Sequence, residues 1–359
     1  MLEASYLDHM SDGLDSIFSG LQTSIETSLA ARLKRANYGV SAQRWQQEKL
    51  KEVNSFYNAI SSDVRGSLKS ASSELQSVLK SASAKSITND NRILRLSGTA
   101  TATTSSLDRW AQIIEAGYIQ TMGTLTNLSN TTGSIAISKF TAFLDTAHFE
   151  VVSGAFTPDK AVESAVRKLA QEGVYSIEYS SGRSISVEAG ARRAIVTGVN
   201  RTTANISLNR TIELDYDTVK TSEHIGAREE HAAWQGRIFS LTGKSSKYPN
   251  FYEATGYGTV TGLCGANCRH NFYPCDPRVE DPFAEIFTSK ENAEMYALDQ
   301  EQRYNERMIR GWKRRADVME AGGQDNTAEL LKVKEWQKRQ SEFVKSNNLA
   351  RQYAREKIA

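Results

Sequence analysis

Proline and cysteine are both scarce in this 359-residue chain, with five prolines and three cysteines. So few prolines leave long helices uninterrupted, because a proline in a helix interior removes a backbone donor and clashes with the preceding turn. The cysteines all lie between positions 264 and 275. Such a cluster is not a disulfide framework and suits a reducing compartment. Long apolar runs are missing too. Nothing approaches the roughly 20 residues that cross a bilayer, so no membrane partner is expected. The opening stretch MLEASYLDHMSDGLDSIF has neither the basic start nor the apolar middle of a secretory leader. At a net charge of +2, the chain as a whole carries no nucleic-acid signature. Hydrophobic residues make up 39% and mean hydropathy is −0.48, against about 45–50% apolar residues in a compact globular chain. Part of the surface therefore stays poorly covered unless partners cover it.

What is present is helical periodicity. The spacing predicts an α+β protein, mostly helical, with long N- and C-terminal helical arms around a small mixed α/β core domain. Residues 1–150 read as a Ser/Thr-rich helical arm. Leu14, Phe18, Leu21, Ile25, Leu29 and Leu33 recur at three- and four-residue spacing, which puts one apolar stripe on a helix. Trp45 to Ile60 and Val64 to Val78 suggest two more helices, and Leu107 to Leu125 a fourth, capped by Ser105 or Ser106. The stretches 81–104 and 130–134 read as a linker and a break. Residues 157–282 form the core domain. Thr157-Pro158-Asp159 supplies an N-cap, a proline at the first helical position and an early acid, and Gly173 ends that helix. A strand from Val174 and a turn at Ser181-Gly182 lead to 184–187, which either returns as a short second strand or enters the next helix, a long one opened by Ser186 and Glu188. A further strand falls within 214–221. Residues 290–359 form a basic helical region, broken at Gly322-Gly323 and restarted by a capping box of Asn326 with Glu329.

Charge is segregated along this tail. From Asp276 to Glu301 there are eight acids and two bases; from Arg303 to Lys357 there are fourteen bases and eight acids. Arg303, Arg307, Arg310, Lys313, Arg314 and Arg315 are the candidate DNA contacts, since a local basic helix can touch phosphate while the whole chain looks neutral.

Chemistry-bearing residues concentrate between Glu223 and Cys275. Three of the five histidines (His224, His231 and His270) and all three cysteines lie there. Gly256, Gly258, Gly262 and Gly265 fall within ten residues, a density that signals tight turns or close backbone approach. The first reading is a folded polar loop whose side chains satisfy buried backbone groups, with no cofactor and no resident metal. A zinc site drawn from Cys264, Cys268, His270 and His231 is the weaker alternative, because the spacing is not that of paired CxxC ligands. A Cys/His nucleophile lacks the context that generates a thiolate. No HExxH and no phosphate-loop pattern is present. The same window would serve a virion-delivered nuclease or transferase, which is the competing enzyme reading.

These residues also carry a resemblance. His224, Gly226, Arg228, His231, Trp234, Gln235 and Gly236, then Gly256, Tyr257 and Gly258, then Gly262, Asn267, Cys268, Arg269 and His270 resemble the hallmark blocks of the phage minor capsid protein 2 family. The helix from Ala191 to Asn200 and the basic helix from Asp299 to Lys313 are similar to that family's pattern. More remotely, the block order resembles the Mu F-like head morphogenesis domain. The resemblance implies a non-enzymatic structural protein of the bacteriophage head interior, made in the host cytoplasm and located at the portal vertex. It also implies contact with portal protein and major capsid protein and a part in head assembly, DNA packaging or genome ejection. Contact with packaged double-stranded DNA is expected from the segregated charge alone, and self-association from the narrow apolar stripes of the helices.

Overall fold

The computed structural model describes residues 1–96, 98, 107–175, 177–178, 184–278 and 287–359. Its helices are α1 (Ala4–His9), α2 (Asp12–Arg35), α3 (Ala42–Leu96), α4 (Ala111–Val152), α5 (Pro158–Glu172), α6 (Val187–Glu213), α7 (Glu229–Ala232), α8 (Phe251–Thr255), α9 (Ser289–Ala321) and α10 (Thr327–Ser346). The strands are β1 (Ile177–Glu178), β2 (Ser184–Ile185), β3 (Thr218–Thr221), β4 (Ile238–Ser240) and β5 (Phe272–Pro274). β1 and β2 pair antiparallel, Ile177 opposite Ile185. The other three form an antiparallel sheet in the order β4-β3-β5, with Val219 opposite both Phe239 and Pro274. The expected mostly helical α+β class is what the chain adopts. No described helix is long and apolar enough to cross a membrane.

Local signals set several boundaries. Thr157 accepts a hydrogen bond from the Lys160 amide, Pro158 opens α5, and Gly173 closes it at φ 65°. Ser186 Oγ accepts from the Ala189 amide at the start of α6. The expected break between Ile60 and Val64 is absent: α3 runs 55 residues, about 80 Å at 1.5 Å per residue. The linker expected over 81–104 is helical through Leu96, with Ser83 and Ser86 fully buried. Position 97 and positions 99–106, including the expected caps Ser105 and Ser106, lie outside the described residues, as does the turn at Ser181-Gly182. The break expected at 130–134 is also absent. In α4 the hydroxyls of Ser129, Thr132 and Ser134 donate to the carbonyls four residues earlier, at Leu125, Leu128 and Asn130. Hydroxyls satisfied on their own helix do not interrupt it. Asn326 caps nothing; its Nδ2 donates to the Ala316 carbonyl, while Asp325 accepts from the Thr327 amide.

The chain divides into two compact units, each discontinuous in sequence. Unit 1 comprises Met1–Leu14, Ser72–Thr124 and Arg192–Gln300; unit 2 comprises Asp15–Ala71, Leu125–Ala191 and Glu301–Ala359. Each of the three consecutive blocks read from the sequence contributes to both.

In unit 1 the sheet and α6 enclose Ala204, Val219, Trp234, Phe239, Phe251, Leu263 and Phe272. Further along α6, that helix crosses α4 at a reciprocal notch. Gly198 faces Thr121 and Gly117 faces Thr202. A Cβ at Gly198 would stand 3.1 Å from Thr121 Cβ and 3.2 Å from its Cγ2, with the hydroxyl nearer still; a Cβ at Gly117 would meet Thr202 in the same way. Each threonine donates back to the carbonyl of the glycine on its own helix, at 2.7 and 2.8 Å. Two glycines thus let two backbones approach where any side chain would hold them apart.

Unit 2 is built on the apolar stripe of α2. Phe18, Leu21, Ile25, Leu29 and Leu33 are buried, and Phe56 packs edge-on against Phe140 at 4.8 Å. Glu26 is buried, accepting from Gln22 Nε2 at 2.6 Å and from the Val174 amide at 2.9 Å; burial raises its pKa above the ordinary carboxylate value.

Candidate functional site

The window singled out from the sequence folds into one polar knot within unit 1. Asn200, at the centre of α6, aims Nδ2 at the carbonyls of Cys268 (3.1 Å) and His270 (2.8 Å). Asn271 donates to Asn200 Oδ1 (2.7 Å) and Thr203 Oγ1 (3.0 Å), and its own Oδ1 accepts from the Phe272 amide. Arg201 Nε donates to the Cys264 carbonyl at 3.2 Å, and Arg228 donates to the Ala266 carbonyl at 3.2 Å. The loop 264–271 is thereby tied to α6 by side chains in place of a regular ladder. Asn200, Thr203, Cys264, Cys268, His270, Asn271 and Phe272 are buried, so their polar groups need partners.

The glycines serve the same loop. Gly226, Gly236, Gly256 and Gly258 have positive φ, as does Asn267. Gly262 packs so close to the backbone of Gly256 that no Cβ fits, and a Cβ at Gly236 would run into the Glu223 carboxylate. Tyr257 lies against Phe251 and Phe272, each at 5.3 Å, and donates its hydroxyl proton to Asn205. Arg269 pairs with Asp8 at 3.1 Å and Asp299 at 3.7 Å.

The imidazoles gather around Trp234 and Cys268. The Trp234 ring contacts His231 (4.7 Å) and His270 (4.8 Å), and His224 stacks on His270 at 4.3 Å. Burial lowers the pKa of all three histidines, so all are neutral at pH 7, and burial raises the thiols of Cys264 and Cys268. His231, Cys268 and His270 bring their ligand atoms within 4.8 Å of one another. Cys264 is not in that group; its Sγ lies 3.5 Å from the His270 carbonyl. Of the four candidate ligands drawn from the sequence, three are brought together; both sulfurs lie near the His270 carbonyl, but only Cys268 Sγ also faces the His231 and His270 rings. The three cysteines are free and buried. A raised thiol pKa and burial are the reverse of what an attacking thiolate needs.

The sequence profile described as Phage minor capsid protein 2 matches residues 2–345. The chain belongs to this family. It is similar to a structural protein of Lactococcus phage LL-H, at 27% identity over 261 residues, covering 68% of this chain and 70% of that protein. It is also similar to a structural protein of Lactococcus phage mv4, at 36% identity over 116 residues, covering 32% of this chain and 94% of that one. No solved structure matches. The phage minor capsid membership makes this a structural protein of a virion.

Two residues central to this capsid protein's knot were not singled out as site residues from the sequence. Asn200 sits mid-helix among Val196, Val199 and Thr203, and an amide on an otherwise inward-facing stripe is the signal that was available. Asn292 of α9 clasps Ala227, accepting from its amide at 2.9 Å and donating to its carbonyl at 3.0 Å; nothing in its local sequence announces this. The basic candidates on α9 are differently placed from what charge counting suggests. Arg310 and Arg314 both pair with Glu188, Arg310 at 3.0 Å, and both are less than one-fifth exposed. Lys313 donates to the Glu356 carbonyl at 2.8 Å. Arg315 lies over Trp312, Arg307 lies over Tyr304, and Arg303 has a partner of its own. The guanidinium groups of Arg310 and Arg314 are thus internal cross-links in unit 2.

Proposed function

We propose that this minor capsid protein is a non-enzymatic scaffold that docks at the portal vertex against portal protein and the inner face of the major capsid shell, where it assists head assembly, DNA packaging or genome ejection. The burial of the His/Cys cluster carries this reading. His224, His231, Cys268 and His270 are each less than a tenth exposed, so a substrate has no approach to them. Exposed apolar side chains on the long helices supply docking surface. Phe149 and Val152 lie three residues apart at the end of α4, Phe156 follows in the turn beyond it, and Leu50 and Tyr57 lie seven residues apart on α3. Solvated phenylalanine and valine in a row mark a surface that a partner covers. Contact with packaged DNA belongs to the same reading. Of the six candidate cations on α9 it falls to at most four (Arg303, Arg307, Lys313 and Arg315), since Glu188 holds the other two.

Cross-linking of intact particles followed by peptide mass spectrometry tests the docking. Cross-links from the end of α4 to portal or major capsid protein are expected, and Phe149→Glu with Val152→Glu should lower the copies per particle while the chain stays folded. Full incorporation of that variant, with no cross-links to either partner, would refute it.

A further inference from the structure

The hydrogen bonds around His231, Cys268 and His270 fix where each proton sits. His231 Nε2 lies 2.9 Å from the Thr261 carbonyl, which only accepts, so Nε2 carries the hydrogen. His270 Nε2 lies 2.9 Å from Gln235 Oε1. That oxygen also accepts from the His224 amide at 3.2 Å, so it is the oxygen and not the amide nitrogen of Gln235 that faces the ring. Nε2 of His270 therefore carries its hydrogen as well. Both neutral rings turn a bare Nδ1 toward one sulfur, each at 3.7 Å from Cys268 Sγ. The thiol has one proton to share between two lone pairs. Whether one of these nitrogens or the His270 carbonyl, at 3.8 Å, accepts it, at least one nitrogen faces the sulfur with no proton between them, among three buried residues.

We propose that His231 Nδ1, Cys268 Sγ and His270 Nδ1 bind a zinc ion that locks the loop 264–271 to the segment carrying α7. A tetrahedral zinc with a sulfur bond of about 2.3 Å and nitrogen bonds of about 2.0–2.1 Å sets its S···N edges near 3.6 Å, close to the two 3.7 Å edges observed. The N···N edge, within 4.8 Å here, closes to about 3.3 Å on binding. Each ligating ring already donates its far N–H to an oxygen, the outer-shell arrangement that fixes a metal-binding tautomer. The His270 amide points at the sulfur from 3.4 Å and supports it as a thiolate. His224 stacks on His270 and lies outside the close set, but its buried Nε2 has no partner among the described residues, and a shift of its ring would bring it to a fourth position. Binding displaces the Cys268 proton to solvent, and no bond other than S–H breaks. Closed off from solvent, such an ion holds structure and turns nothing over.

The full chain, produced with zinc in the medium and dialysed against metal-free buffer, is expected to retain about one zinc per molecule by mass spectrometry of the metal. Exchange for cobalt(II) is expected to give a thiolate-to-cobalt charge-transfer band in the near ultraviolet. Cys268→Ser should lose the band and at least nine-tenths of the metal, while Cys264→Ser, which alters a thiol outside the set, keeps both. Because a Cys268 variant can fail to fold, the wild-type chain decides independently. Less than a tenth of an equivalent of zinc, together with no charge-transfer band in folded wild type, overturns the proposal. So does full metal loss in a folded Cys264→Ser.

Discussion

Gly198→Ala asks the most direct question of the fold. In a solvated helix this substitution helps: alanine is about 1 kcal/mol more favourable than glycine. At position 198 the new methyl meets all three heavy atoms of the Thr121 side chain beyond Cα, two of them at 3.1 and 3.2 Å and the hydroxyl closer. Rotating a β-branched side chain on a helix cannot clear them together, because its χ1 choices are few, and the hydroxyl would also give up its 2.7 Å bond to Gly117. Overpacking of this kind costs about 1–3 kcal/mol, and more when two backbones must part. With the propensity gain subtracted, a net loss of about 2 kcal/mol is expected. Gly66 is the internal control. It lies in α3 with nothing within 4 Å of its would-be Cβ, so Gly66→Ala should stabilise by about 0.5–1 kcal/mol. Denaturant titrations of both variants, read by far-ultraviolet circular dichroism, should move the midpoint in opposite directions. Equal or greater stability of Gly198→Ala would refute the close crossing of α4 and α6.

Three further outcomes are expected. Glu188→Ala leaves Arg310 and Arg314 facing each other without their shared acid, and should cost about 3 kcal/mol, most of it recovered when both arginines are also replaced; a loss below about 0.5 kcal/mol would remove the clamp from the account. Glu26 is held above its ordinary pKa mainly by burial, so folding favours its protonated form. That contribution is complete below pH 4.5 and is lost as pH rises through the folded-state value, so Glu26→Gln should gain on the wild type with rising pH in paired melts; a gap that stays constant or shrinks upward contradicts this. Duplex DNA binding by the full chain should show a log–log salt slope no steeper than about −4, at 0.9 per phosphate for four cations; a steeper slope would mean that further cations reach phosphate.

Features settled within one turn of chain were legible from the sequence. Thr157, Pro158 and Gly173 each act on their immediate neighbours, so the ends of α5 could be read directly. The continuity of α3 and α4 could not, because serine and threonine signal a break only when their hydroxyls compete with the helix. Here the hydroxyls of Ser129 and Thr132 bond the same helix. Gly133 likewise interrupts nothing and accommodates the Ile60 side chain. Long-range pairs are illegible for a different reason. Arg314 meets Glu188 across 126 positions, a separation no spacing rule covers, so its charge reads from sequence as surface. In the polar knot, the crowding of histidine, cysteine and glycine marked the window. Which sulfur meets which ring depended on how the loop turns, including left-handed backbone at Cys264 and Asn267; asparagine favours that conformation, but nothing in a cysteine announces it.

The interleaving of the two units sets a timetable for biosynthesis. Residues 301–359 belong to unit 2 together with 15–71 and 125–191, so the α2 stripe leaves the ribosome long before its last covering segment exists. At about 5–20 residues per second, Leu21 and Ile25 wait tens of seconds with an incomplete shell. Nascent chains of this protein are therefore expected to be clients for a holdase, and a nonsense mutation near position 300 would release a sticky product lacking the last segment of unit 2, in place of a smaller working subunit.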